Sequence, residues 1–168
     1  MMSNLVILPY KRKRKGKTDY KQRLGLLKSG KLRLVVRKSS KNILLQIVKY
    51  EPNGDKVLIS VHSNSLKKYG WNLNKGNVPT AYLSGLLCGK LAKNKDVSEA
   101  ILDIGLNRSR KGSVQYSAVK GVIDSGLNIS CSKDILPNEE GFNGKVISEE
   151  VHKTFLDVKN KIVGEKNG

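Results

Sequence analysis

The sequence predicts an α/β fold of the α+β, mixed-sheet kind: a three-stranded antiparallel meander, then helix, strand, helix and strand, with the helices packed on the sheet. A basic N-terminal arm precedes this body and a C-terminal helix follows it. Three observations carry the expectation. Between Leu32 and Val61 apolar residues alternate, or cluster in β-branched runs broken by turn residues, as strands do. From Pro79 onward leucines recur at four-residue steps, the spacing of a helix face. Ahead of both, residues 1–50 hold 15 of the 32 Lys and Arg but only 1 of the 14 Asp and Glu, so this part of the chain is too charged to bury itself.

A chain of 168 residues, 38% hydrophobic and 5% aromatic, fits one domain of ordinary size with a modest, mainly aliphatic core. The expected division is residues 1–30 for the arm and a short helix, 31–130 for the α/β domain, and 131–168 for a C-terminal loop and helix. The charge run KRKRKGK reads as an extended arm, ordered only against a partner, or as a solvated tail. Thr18 and Asp19 offer an N-cap for a helix through Lys28, with Leu24, Leu27 and Lys28 along one side, Lys21 and Arg23 on the other, and Ser29-Gly30 ending it.

In Leu32 to Arg37, Leu32, Leu34 and Val36 share one strand face, while Arg33, Val35 and Arg37 share the other and can present guanidinium groups. After the polar turn KSSK plus Asn42, Ile43 to Tyr50 is a second strand. Pro52-Asn53-Gly54-Asp55 then turns the chain into a third, Val57 to Val61. Asn64 to Tyr69 suits a helical turn and residues 70–77 a loop. The helix from Pro79 to about Lys93 carries Leu83, Leu87 and Leu91 with Leu86 alongside, and beside them a stripe of small residues, Ala81, Gly85, Cys88 and Ala92, suited to close approach to a sheet. Ala100 to Leu106 suits an interior strand. After the basic loop Asn107 to Lys111, Gly112-Ser113 opens a helix with Val114, Ala118, Val119, Val122 and Ile123 inward and Gly126 as its stop. Leu127 to Ser130 allows one more short strand, and residues 137–145 read as a loop. Ser148 caps a last helix with Val151, Phe155, Val158 and Ile162 on one side.

A net charge of +18 with pI near 10.0 favours an anionic partner, whether RNA, DNA, a membrane surface or an acidic protein. Charge alone does not choose among them, but its concentration at the front of the chain makes a phosphate-rich partner the simplest reading. Cys88 and Cys131 have neither the spacing nor the neighbouring His of a zinc or redox motif and read as reduced, cytosolic thiols. No window approaches the ~18 apolar residues of a spanning helix, and the N-terminus runs opposite to a signal peptide, so a cytoplasmic protein is expected. A metal-dependent nuclease needs converging carboxylates, and only Asp103 lies within a strand, where a structural, hydrogen-bonded role suits it better. His62 and His152 lack partners at useful spacing, so no enzyme is expected. A DNA-compacting basic protein shares the electrostatics, but the helices here are mostly small and aliphatic.

With the segments laid out, the chain resembles the large-subunit ribosomal protein L-eighteen family in its archaeal and eukaryotic branch. The stretches that carry the resemblance are Gly16-Lys17-Thr18-Asp19-Tyr20 with Arg23, RLVVRKSSKN (Arg33 to Asn42), NVPTAYLSGLL (Asn77 to Leu87), EAILDIGL (Glu99 to Leu106) and GSVQYSAVKGVIDSGLNI (Gly112 to Ile129). Their order and spacing match over roughly residues 10–145. The resemblance implies a structural protein of archaeal origin that binds 5S rRNA and helps attach it to the large-subunit rRNA at the central protuberance, beside neighbouring large-subunit proteins, with no cofactor, membrane or small-molecule substrate. Ser130-Cys131-Ser132 stands where many relatives show a Pro-His pair, and Gly141-Phe142 where others often place an Arg, so no RNA contact is carried over there.

Three patches are the candidate RNA-binding residues. Lys11, Arg12, Lys13, Arg14, Lys15 and Lys17 would neutralise phosphates along the arm, with Tyr20 and Arg23 behind them stacking on a base or clamping the backbone, unless Tyr20 is a core-edge aromatic. Arg33, Arg37, Lys38, Ser39, Ser40 and Lys41 would meet phosphate and ribose oxygens from a strand and its turn. Asn107, Arg108 and Lys111, with Arg110 as a solvated neighbour, lead into a helix N-terminus that favours an anion.

Overall fold

A computed structural model describes residues 8–164. Five strands form one sheet in the order β3-β2-β1-β4-β5: β1 (Arg33–Lys38), β2 (Ile43–Lys49), β3 (Lys56–His62), β4 (Glu99–Asp103) and β5 (Asn128–Ile129). The first three are the antiparallel meander, whereas β1 with β4 and β4 with β5 run parallel. This is the mixed sheet expected. Parallel neighbours require crossovers, and helices α3 (Val78–Lys93) and α4 (Val114–Asp124) supply them.

Both helices cover one face of the sheet. Leu34, Val36, Ile43, Leu45, Ile47, Ile59 and Val61 point into a core completed by Leu83, Leu86, Leu87, Ala118, Val119 and Val122. Asn77 caps α3 by accepting from the Thr80 amide, and Pro79 sits in the first turn, where its missing N–H costs nothing. The loop before α3 is pinned by the fully buried Trp71, whose Nε1 donates to the Asn74 carbonyl.

The small-residue stripe of α3 serves a different contact from the one expected. A Cβ built on Gly85 would collide with the Ala118 carbonyl oxygen of α4, and one on Gly121 with the Tyr82 carbonyl oxygen of α3. The glycines therefore let two helix backbones touch, rather than a helix and a sheet. Of the leucines repeating at four-residue steps, Leu83 and Leu87 are buried and Leu91, near the end of α3, is 37% exposed.

The C-terminal segment packs on the outer side of α3. Helix α6 (Glu149–Gly164) buries Phe155, Val158 and Ile162. Residues 137–145 are not wholly a loop: they contain a helical turn, α5 (Glu139–Phe142), formed because Phe142 stacks on Tyr82 at 4.1 Å between ring centroids. Asp124 accepts from the Tyr82 hydroxyl at 2.9 Å, and burial together with this carboxylate pushes the tyrosine well above its ordinary pKa.

Strand β4 stops at Asp103, short of the expected Leu106. Its carboxylate accepts from the Gly105 amide and Gly105 takes a φ of +62°, so an Asp-led turn ends the strand. Among the described residues no helix is long and apolar enough to cross a membrane, and no group of three or more His, Cys, Asp or Glu is placed to hold a metal ion.

Candidate nucleic-acid interface

The other face of the sheet is only lightly covered. Over it lie α1 (Lys11–Arg14) and α2 (Tyr20–Leu27), neither of which buries a residue. Between these short helices and the strands runs a groove of about 600 Å³. Arg12, Lys17, Tyr20, Arg23, Arg33 and Arg37 bring cations and an aromatic ring to it, and Val35, Val48, Val57, Leu26 and Leu106 form its apolar lining. Val57 and Leu106, within this lining, are 46% and 57% exposed.

The expected extended arm is folded from Tyr10 onward. Its first residues, including most of the run Leu5 to Leu8, lie outside the described residues. Lys11 to Arg14 make one helical turn, closed by Gly16 at a φ of +58°, which lets the Gly16 and Lys17 amides reach back to the Lys13 and Arg12 carbonyls. Arg12 Nε donates to Thr18 Oγ1 at 2.8 Å, and Tyr10 packs on Tyr20 at 5.1 Å. These contacts hold the turn despite four like charges, while Lys11, Lys13, Arg14, Lys15 and Lys17 remain exposed. Asp19, rather than Thr18, caps α2 by accepting from the Lys21 and Gln22 amides. Leu24 is 55% exposed, because α2 leans on the sheet through Leu26 and Arg23.

On the strand face, Arg33 departs furthest from expectation. It does not present its guanidinium: the residue is 2% exposed. Arg33 Nη1 donates to Asp103 Oδ2 at 3.0 Å and Nη2 to Asp55 Oδ2 at 2.6 Å. Arg37 Nη2 donates to Asp103 Oδ1 at 2.8 Å, and its Nη1 to the Asp103 and Val36 carbonyls. Arg23 Nη2 reaches both oxygens of Asp55, at 2.9 and 3.0 Å. The result is an alternating ladder, Arg23–Asp55–Arg33–Asp103–Arg37, with three cations for two carboxylates. A cation cannot stay charged inside a protein without such partners, so the sheet could not have buried Arg33 otherwise. Burial alone would raise the Asp55 pKa, but hydrogen bonds and charge from Arg23 and Arg33 outweigh it and hold it below the ordinary 3.8. Asp103 is thus the structural, hydrogen-bonded carboxylate its place in a strand suggested.

Because β1 and β4 are parallel, both run out at the same end of the sheet. The turn Lys38–Lys41 and the loop Asn107–Lys111 therefore leave the sheet at one end, where Gly105 approaches the Arg37 guanidinium. Lys38, Ser40, Lys41, Arg108, Arg110 and Lys111 are exposed there. The Ser39 hydroxyl is engaged within its own turn, donating to the Asn42 carbonyl and accepting from the Asn42 amide. Asn107 Nδ2 likewise donates to the Ile104 carbonyl. His62 and His152 serve local structure: each ring Nδ1 meets a backbone group, the Asn64 amide and the Asn143 carbonyl respectively.

Sequence reasoning missed Asp55 and the pairing of both carboxylates with the arginines. Asp55 follows Pro-Asn-Gly and reads as turn chemistry. Two arginines on one strand face were the available signal, since a guanidinium drawn into a sheet needs a carboxylate beside it. Val57, Leu26 and Leu106 were missed because a groove wall contributed by three separate elements has no local pattern.

Residues 7–99 match the family model described as ribosomal large subunit proteins 60S L5 and 50S L18. A large ribosomal subunit protein uL18 from Methanococcus maripaludis is 49% identical over 137 residues, covering 82% of this chain and 71% of the relative. A relationship this close over most of the chain, on a body with a groove lined by arginines on one sheet face, places the chain in the family of large-subunit ribosomal proteins 60S L5 and 50S L18: it is a structural ribosomal protein, not an enzyme.

Proposed function

We propose that this chain seats 5S rRNA on the large subunit and helps fix it to the large-subunit rRNA at the central protuberance. The observation that carries the reading is the basic groove on the open face of the sheet. Arg12, Lys17, Arg23 and Arg37 line the groove on the open face of the sheet, the exposed Lys38–Lys41 and Asn107–Lys111 segments leave the sheet at one end, and the opposite face is closed by α3 and α4. In this reading Lys11, Lys13, Arg14, Lys15 and Lys17, with Arg12, neutralise phosphates and release counterions. Arg37, Lys38, Ser40 and Lys41 hold phosphate and ribose oxygens at the rigid edge of the sheet. Tyr20 and the apolar groove lining offer an unstacked base a dry surface. Arg108 and Lys111 face the large-subunit rRNA.

The test is competition binding of the full chain to 5S rRNA against duplex DNA at near-physiological salt. Preference for 5S rRNA is expected, and a preference for DNA would overturn the reading in favour of a general nucleic-acid-compacting role. Replacing Lys11, Arg12, Lys13, Arg14, Lys15 and Lys17 with Ala should flatten the plot of log K against log salt by about 0.7–0.9 for each phosphate left without its cation. An unchanged slope removes the arm from the interface.

A further inference from the structure

We infer that Asp55, an acid in the middle of a cationic groove, is a positioning residue for the RNA-facing segment: its carboxylate anchors α2, and through α2 the basic turn α1, to the sheet. The inference rests on the RNA-binding role proposed above and names a determinant of that same surface. Helix α2 buries no residue. Among the described residues, the Arg23–Asp55 pair is the one side-chain hydrogen-bonded link joining α2 to the sheet or its turns. Asp55 is itself held from beneath by Arg33, which is immobilised by burial and by its second bond to Asp103. The ladder thus runs from the rigid interior out to a helix whose apolar side chains are only partly buried. From α2 the chain passes through the Asp19 cap to Thr18, which receives Arg12 of α1, and Tyr20 receives Tyr10. Releasing Asp55 would free α2 and the cations ahead of it, and a binding segment that must be ordered on association binds more weakly than one held in place beforehand.

This assignment inverts the simple electrostatic expectation. Removing an acid from a phosphate-binding groove should tighten RNA binding by raising the local positive charge. If Asp55 positions the segment, Asp55→Asn weakens it instead, by about fivefold or more, the lower range of coupling between linked sites. The salt dependence should hold its slope, since every phosphate keeps its cation.

The experiment is a double-mutant cycle on the full chain, with 5S rRNA affinity measured for wild type, Asp55→Asn, Arg23→Gln and the double variant. The expected result is that Asp55→Asn weakens binding and that the double variant binds no worse than Arg23→Gln alone, because both changes cut one link. Tighter or unchanged binding by Asp55→Asn overturns the inference, as does a double variant whose loss is the sum of the two. Amide hydrogen exchange on the free protein adds a readout that needs no RNA. Arg23→Gln, on an exposed helix, should accelerate exchange in residues 23–28 and leave β1 unchanged, and this holds the inference to account even where Asp55→Asn does not fold. Unaltered exchange in α2 overturns it. A wild-type chain without preference for 5S rRNA over duplex DNA brings down the functional reading, while the exchange comparison still decides whether this link anchors α2.

Discussion

Arg33→Ala separates a guanidinium that holds the sheet together from one that meets a phosphate. In the folded protein the side chain is 2% exposed and bridges two carboxylates. Removing one member of a buried ion pair costs about 3–5 kcal/mol, mostly because the charge left behind is uncompensated. Here each orphan keeps a partner. Asp103 retains Arg37 and the Gly105 amide, and Asp55 retains Arg23 and partial access to water. The loss should therefore sit at the lower end, about 3 kcal/mol, a large share of the roughly 5–15 kcal/mol that stabilises a typical domain. For a chain of this size that lowers Tm by roughly 6–12 °C. Urea denaturation followed by circular dichroism is the assay, with a reduced midpoint and an unchanged slope expected. Arg33→Met, which keeps the apolar stem, should lose less, about 1–2 kcal/mol, since each carboxylate still has its second arginine. The salt slope of RNA binding should match wild type in both. An Arg33→Ala protein as stable as wild type but with a flattened slope would refute the reasoning, because the guanidinium would then be reaching RNA rather than its carboxylates.

Other perturbations test the remaining parts of the account. Gly121→Ala, which drives a methyl into the Tyr82 carbonyl at the α3–α4 crossing, should cost about 3 kcal/mol in urea denaturation. Gly25→Ala, with open space around it on exposed α2, should instead gain up to roughly 1 kcal/mol. Because Asp55 has its pKa held below 3.8 in the folded state, its contribution is present above that value and is lost as pH falls through the lower, folded one. Asp55→Asn should therefore show a shallower acid limb than wild type in stability measured between about pH 5 and pH 2. Burial pushes the Cys88 thiol up to about 12, so it should resist a thiol reagent in the native protein at pH 8 and react on unfolding, ahead of which the partly exposed Cys131 is labelled.

The candidate surface was legible in the sequence to the extent that it is made of cations. The lysines and arginines from Lys11 to Lys41 stand out because a run of like charge has only solvent or an anion to face. Arg33 was indistinguishable from Arg37 in that reading. Both occupy the same strand face, and the difference between a buried and a half-exposed guanidinium comes from Asp55 and Asp103, which lie 22 and 70 residues along the chain from Arg33. Similarly, Ala81, Gly85 and Cys88 announce a close approach without saying to what. Only the crossover that brings α4 beside α3 makes the partner a helix.

By itself, the order of residues determined the five strands and helices α2, α3, α4 and α6 in sequence, the apolar face of the strands, the turn at Pro52–Asp55 and the concentration of charge in the first fifty residues. These are local properties, set by periodicity, by capping and turn side chains, and by the cost of burying charge. Tertiary structure decided which cations remain free, where the groove lies and what holds its lip. Those depend on parallel pairing of β1 with β4 and on a sheet closed on one side only, which place distant carboxylates beneath the arginines at distances where pairing outweighs hydration.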